Sequence, residues 1–392
     1  MLDRIRGAVK ARYGEIMQTV ETLSTIDRGS RYLKGLEQTA DFLRRKLEEL
    51  GCTVTVYPDE DYGPTVVGRK KGQGKARILL YAHMDTVWPE GTCAQRPFRV
   101  EGRFAFGPGV SDCTHGIIGS LYSLQALHDV GCADYGELII LFNPDEELYS
   151  PSSKKWIEHY ARLADVAFCM ESPDFEDEYI TSRGGVMYYE IDVVGVKSHA
   201  GVRPEAGRNA LEELCHKVTL IHKLDIPGAI PQVTLMQGGI AEGVIPDHAW
   251  AHVDIRVDTF AAMEAIHAAM KEIEGSTLIP GTTTTCRHRP GGCPPLVKTP
   301  AVDKFVELIN RTSAEVGLPL HEAFCGGGAD AWISAQVGTP TIDGLVPMSY
   351  FCHTDQERLD LESIIPRVTI MAGVLQRISS DDRYLRADRE EE

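Results

Sequence analysis

The chain contains no Cys-x-x-Cys pair; its ten cysteines are scattered along 392 residues. That excludes a zinc ribbon or a thioredoxin-type site, and the spacing is not that of a small disulfide scaffold. Free thiols suit a reducing, cytoplasmic setting. Basic residues are also scarce: 40 stand against 57 acidic ones, for a net charge of −17. Neither nucleic acid nor an anionic membrane attracts such a surface, although a local basic patch could still hold a small anion. No uncharged run is long enough to span a bilayer. The N-terminal "MLDRIRGAVKARYGEIM" is amphipathic and lacks the apolar core of a signal peptide. Internal repeats and low-complexity tracts are missing. So are a Gly-x-Ser-x-Gly elbow and a P-loop.

What is present is ordinary globular composition, 43% hydrophobic and 25% charged. The length exceeds the usual single core, so two domains are expected. From Gly35 to Leu50, Leu36, Ala40, Leu43, Leu47 and Leu50 share one helical face, and Gly51 ends the helix. Apolar runs then recur: "RILLYA", "ELIILF" and "DVAFCM", with helical segments at Ile117 to Leu127 and Ser153 to Leu163. Short runs separated by helices predict a mostly parallel sheet covered by helices, an α/β catalytic domain. After Arg183 the pattern alternates, giving strand, helix, two strands, helix and strand, a split βαβ order. The Pro/Gly-rich "RPGGCPPLVKTP" reads as a return linker. The expected organisation is therefore a catalytic domain over 1–182 and 297–392. A smaller α+β, ferredoxin-like domain is inserted at 183–296. The acidic tail "DRYLRADREEE" reads as frayed.

The apolar strands end in chemistry. "ILLYA" runs into His83 and Asp85, "LIILFNPD" into Glu146 and Glu147, and "VAFCM" into Glu171. Each alone is compatible with a solvated strand end. Ligands of open α/β sheets, however, bind beyond the carboxyl ends of the strands. Asp112 adds a further carboxylate on the turn "GPGVSDC", where it could equally be a helix cap. Carboxylates crowded without compensation repel one another, and divalent cations remove that cost. Imidazole with carboxylates suits zinc, and sometimes manganese or cobalt. Two metals about 3.5–4 Å apart need a shared carboxylate. The adjacent side chains of Glu146 and Glu147 diverge, so one can bind metal while the other acts as base, and chemistry alone does not say which.

These segments resemble the co-catalytic di-zinc aminoacylase and carboxypeptidase family. That family includes glutamate carboxypeptidase, acetylornithine deacetylase, succinyl-diaminopimelate desuccinylase and peptidase T. The resemblance covers nearly the whole chain and is nearest to glutamate carboxypeptidase. "YAHMDTV", "GPGVSD", "DEE", "KSHAGVRPEAGRNAL", "GGGADA" and "CHTDQERLDL" carry it, in that order. It implies that Asp112 bridges two metals. His83 and Glu171 would complete one site, Glu147 and His353 the other. Glu146 would be the general base, and Asp85 would orient His83. It further implies a homodimer formed through the inserted domain, with His199 reaching the partner's site to stabilise an oxyanion. Arg256, and more loosely Arg287, would hold a substrate carboxylate.

The chain departs from the family pattern in four places. Thr114 and His115 replace a Lys-Gly type sequence after Asp112, which predicts a lost positive charge beside the metals. Gly243 stands where relatives carry a substrate-touching asparagine, and Tyr179 where glutamate carboxypeptidase has a pocket lysine. "GLVPMSYFCH" is less glycine-rich than in relatives and predicts a bulkier rim. Selectivity for glutamate is therefore not expected. The resulting expectation is a cytoplasmic, metal-dependent hydrolase of a small peptide or N-acyl amino acid with a free carboxylate. A small-acyl aminoacylase or deacetylase is the alternative, and a non-catalytic metal-bound binding protein the competing class. The triple glycine Gly326 to Gly328 reads as a tight turn near substrate.

Overall fold

A computed structural model describes residues 1–391, which form two compact units. The first comprises Met1–Ser182, Lys298–Cys325 and the chain from Ala329 onward; the second comprises Arg183–Val297 with Gly326–Gly328.

In the first unit "RILLYA" forms the strand Arg77–His83, and Ile78 to Ala82 are at most 2% exposed. Burial on both faces demands neighbours on both edges and helices above and below. The six-stranded sheet supplies the edges. Its order is Thr53–Tyr57, Thr65–Lys71, Glu137–Asn143, Arg77–His83, Val166–Cys169, Thr341–Ile342. The last four strands are parallel, and the first two are antiparallel at one edge. The helix Thr114–Asp129 is buried all round from Thr114 to Leu124, which suits a helix enclosed in a core. It packs on the strand Arg77–His83 and on the long helix Leu361–Ser379. The helix Leu33–Glu49 ends as its sequence requires. Gly51 has φ +76°, and Cys52 N–H returns to Leu47 O at 3.0 Å, a left-handed glycine closure. A separate sheet, ordered Ser349–Tyr350, Arg358–Asp360, Phe104–Phe106, Arg99–Glu101, carries residues 351–357 as a connection between its first two strands.

The second unit is a four-stranded antiparallel sheet ordered Ala229–Gly238, His248–Val257, Gly185–Val194, Thr283–His288. With the helix Ala210–His222 inserted after the strand Gly185–Val194 and the helix Phe260–Gly275 after His248–Val257, this is the split βαβ arrangement. Asn209 and Thr259 cap the two helices through their side chains. Gly326–Gly328, expected as a turn near substrate, folds with this unit. Arg183 Nη1 donates to Gly327 O at 3.3 Å. No helix among the described residues is long and apolar enough to cross a membrane, and none of the ten cysteines forms a disulfide.

The tail is not frayed through Glu391. Asp165 is fully buried and accepts from Arg77 N at 2.8 Å, Arg386 N at 2.6 Å and Arg389 Nη1 at 2.5 Å. A buried carboxylate needs these donors, so composition alone misread a segment that Asp165 holds. Asp165→Ala is expected to lower stability by roughly 3 kcal/mol. It should also expose the segment after Asp382 to proteases. Denaturant unfolding with limited proteolysis checks this, and unchanged cleavage would show that Asp165 does not hold the tail.

Candidate functional site

The parallel strands deliver His83 and the loop 144–153 to one end of the sheet, and Glu171 follows the strand Val166–Cys169. Asp112 precedes the helix Thr114–Asp129 on a turn that only glycine can open at residue 109. There φ is +70°, and an added Cβ would lie 2.5 Å from Arg28 Nη2.

The two oxygens of Asp112 face different imidazoles. Oδ1 lies 2.7 Å from His83 Nε2, and Oδ2 lies 3.0 Å from His353 Nε2. Glu171 Oε1 is 3.2 Å from His83 Nε2, and Glu147 Oε2 is 3.2 Å from His353 Nε2. Two groups result: His83, Asp112, Glu171 with the Cys113 thiol, and Asp112, Glu147, His353. Within each, the ligand atoms lie within 4.8 Å of one another.

This donor set fits two cations. His83 Nδ1 lies 3.0 Å from Asp85 O, so a neutral ring places its proton there and turns the Nε2 lone pair toward two carboxylates. Lone pairs facing lone pairs repel unless a positive charge sits between them. Without metal, protons supply that charge. Burial opposes protonation of His83, but Glu171 and Asp112 overcome it and raise its pKa well above the ordinary value. Bonds to Asp112 and Glu147 raise His353 to about 10. Burial, with the charge of Asp112, raises Glu147 to about 7. Its Oε1 is buried and makes no hydrogen bond.

Asp85 does more than orient His83. Its Oδ1 is 3.2 Å from His83 Nδ1 and accepts from Glu146 N at 3.1 Å; its Oδ2 accepts from Glu147 N at 3.3 Å and Ser30 Oγ at 2.7 Å. One buried carboxylate thereby ties one imidazole to the backbone of the Glu146–Leu148 turn. Burial is the leading cause of a pKa for Glu146 well above the carboxylate range. His83 opposes the shift, and Asp330, Glu171 and Glu147 add to it.

Four supporting residues had no visible signal in their local sequence pattern. Ser30 holds Asp85. Arg28, 1% exposed, donates to Met84 O, Gly109 O and Thr114 Oγ1 at 2.6, 2.9 and 2.7 Å. Arg28 thus brings a guanidinium from another segment to the turn where Thr114 and His115 stand in place of a Lys-Gly type sequence. Glu357 accepts from Gly109 N at 2.6 Å and links the His353 segment to the Asp112 turn. Asp330 accepts from Asn143 Nδ2 at 2.8 Å and Ser150 Oγ at 2.5 Å, bracketing the loop that bears Glu146 and Glu147. "GGGADA" contained Asp330, but nothing local distinguished it from a helix cap.

Tyr179 is placed differently from expectation. It is fully buried, and its hydroxyl donates to Asn310 Oδ1 at 2.9 Å, so it is a core residue with no face for a ligand. In "GLVPMSYFCH", Phe351 is 53% exposed at φ +60°, two residues before His353. In the second unit Ser198–His199 pairs with Val244–Ile245, which brings "SHAG" and "GVIPD" together. The exposed His199 accepts at Nδ1 from Gly201 N and Val202 N, both at 3.1 Å, so its neutral ring carries the proton on Nε2. At Gly243 an added Cβ would meet nothing within 4 Å. Arg256 forms a fork with Asp254 at 2.9 and 3.0 Å, and Arg287 pairs with Glu190.

Two outcomes follow for the site. Zinc binding should release at least one proton per chain at pH 7. Apparent affinity should rise about tenfold per pH unit per displaced proton between pH 7 and 9, because His353 is protonated there without metal. Calorimetry in buffers of different ionisation enthalpy measures the release, and buffer-independent heats would contradict it. Asp330→Ala should cost about 10- to 100-fold in turnover with metal content retained, and Asp330→Asn should cost less. Steady-state kinetics with metal analysis decides.

Comparison with known proteins agrees with this geometry. The profile of Peptidase family M20/M25/M40 matches residues 79–377. The chain is 34% identical over 372 residues to carboxypeptidase G2 of Pseudomonas sp. (strain RS-16), covering 92% of this chain and 88% of that one. Aminopeptidase PepT of Bacillus cereus ATCC 10987 shares the fold with a TM-score of 0.77 at 19% identity, over 93% of this chain and 98% of that one. Bacillus subtilis YxeP, a dinuclear metal binding peptidase, does so at 0.71 and 18%, over 95% and 99%.

Proposed function

The chain belongs to Peptidase family M20/M25/M40, and from that premise we propose a carboxypeptidase-like hydrolase that works with two divalent ions. It would cleave the amide bond of a small peptide or N-acyl amino acid bearing a free carboxylate. The observation that carries this reading is Asp112, whose two oxygens face two separate imidazole–carboxylate groups. Ions held by His83, Asp112 and Glu171, and by Asp112, Glu147 and His353, would polarise the scissile carbonyl and lower the pKa of a water toward neutrality. The donor chemistry favours zinc, with manganese and cobalt as alternatives.

The chain's own residues supply the proton transfers. Glu146 takes the proton of the attacking water at its carboxylate and delivers it to the leaving nitrogen. Its raised proton affinity, caused first by burial, suits it to hold that proton between the two steps. Asp85 fixes the backbone of Glu146 while orienting His83, so base and imidazole keep one geometry. His199 presents Nε2–H outward and would donate to the oxyanion in the site of a second copy. The strand Ala229–Gly238 pairs on one side only in its sheet, with Ile230, Leu235 and Met236 more than half exposed, and offers the edge for such a homodimer. Arg256, held in a fork by Asp254, is the proposed anchor for the substrate carboxylate. Ten cysteines outside any disulfide are consistent with a cytoplasmic setting.

Glu146→Gln should keep both metals and lose about 10²- to 10⁴-fold in turnover. Kinetics on C-terminal dipeptides and N-acyl amino acids, run beside metal analysis, tests the assignment. Near-wild-type turnover would remove Glu146 from the mechanism. Activity confined to short acyl groups would favour the deacylase form of the same site.

A further inference from the structure

At the opposite end of the central sheet from His83 lies a cavity of about 410 Å³ lined by Arg69, Lys71, Lys75, Arg77 and Arg389, with Glu137 among them. The strands Arg77–His83 and Glu137–Asn143 begin there. His83 is six residues farther along, about 20 Å at strand rise, so this cavity is separate from the candidate metal centre. Five cations around one hollow are unexpected in a chain of net charge −17.

Most of this charge has a partner. Glu137 takes Arg69 in a two-bond fork at 2.8 Å each, Asp165 takes Arg389, and Asp382 takes Lys75 at the exposed rim. Two donors remain. Lys71 is exposed at the end of its strand with no ion-pair partner among the described residues. Arg77 Nη1 is buried and makes no hydrogen bond. A guanidinium nitrogen without an acceptor is costly to bury, so Arg77 keeps unmet donor capacity beside the hollow. The nearest substitute is the chain's own tail. Glu391 reaches Arg77 Nη2 at 3.1 Å and Arg389 Nε at 3.6 Å while its side chain stays 69% exposed. It touches the rim without reaching Nη1 or Lys71.

We propose that this cavity binds a small phosphate-bearing anion, with Lys71 and Arg77 as its ligands and Glu391 as a built-in competitor. A phosphate offers several acceptor oxygens, which can meet the guanidinium fork and the ammonium together, where one carboxylate cannot. The concave site and its acidic tail, on an acidic protein, select a small anion over a nucleic acid or a membrane.

The test follows thermal unfolding of the metal-loaded protein in inorganic phosphate or a sugar monophosphate, each against chloride at equal ionic strength. Apparent affinity comes from the concentration dependence of the midpoint. Lys71→Met with Arg77→Met should weaken it at least about tenfold. Glu391→Gln, a change at an exposed position, should tighten it about threefold. Whichever probe binds more tightly identifies the source of the phosphate group. An equal response in the wild type and the double variant would place the anion elsewhere, including at the metal centre, and overturn the proposal. So would a Glu391→Gln protein whose affinity is unchanged or weaker.

Discussion

Asp112 turns one oxygen to His83 and the other to His353, and the surrounding first unit is arranged to hold that carboxylate still. With Glu146, Glu147, Glu171 and Asp85 close by, the negative charge gathered here would drive the cluster apart in water-poor surroundings. Only positive charge reconciles the residues, whether from protons on the imidazoles or from divalent cations. Each oxygen of the shared carboxylate belongs to a different ligand group.

The supporting frame is a second ring of buried polar contacts. Arg28 and Glu357 clamp the Gly109–Asp112 turn from two distant segments. Asp330 and Asp145 fasten the loop after the strand Glu137–Asn143, with Asp145 accepting from Ser152 N and Ser153 Oγ. Asp85 joins the two halves by bonding His83 on one side and the backbone of Glu146 and Glu147 on the other. Fully bonded buried polar groups rigidify a site, and a half-bonded set would loosen it. This explains why the bearing residues sit at strand ends and turns while the force holding them comes from residues 28 to 357.

The sequence revealed the strands because apolar runs such as "RILLYA" and "ELIILF" have a burial pattern that few other structures share. It revealed His83, Glu146, Glu147 and Glu171 as a set because each run stops at a polar residue of ligand type. His353 was different. It sits at φ +63° on a connection between short strands, where no periodicity operates, and only family resemblance singled it out. The clamp residues were illegible for a related reason, since Arg28 and Asp330 reach partners 56 to 187 residues away through side chains that resemble ordinary surface groups. Tyr179 shows the converse error. The family resemblance put it at a pocket, but its aromatic ring fills the core and its hydroxyl meets Asn310. The tail was misread because composition carries no record of Asp165 waiting beneath it.

Anomalous scattering from crystals of the zinc-loaded protein addresses the shared carboxylate most directly. Two peaks about 3.5–4 Å apart, with one Asp112 oxygen on each and His83 and His353 on opposite sides, are the expected result. A single peak, or a pair in which Asp112 contacts neither ion, would contradict the account.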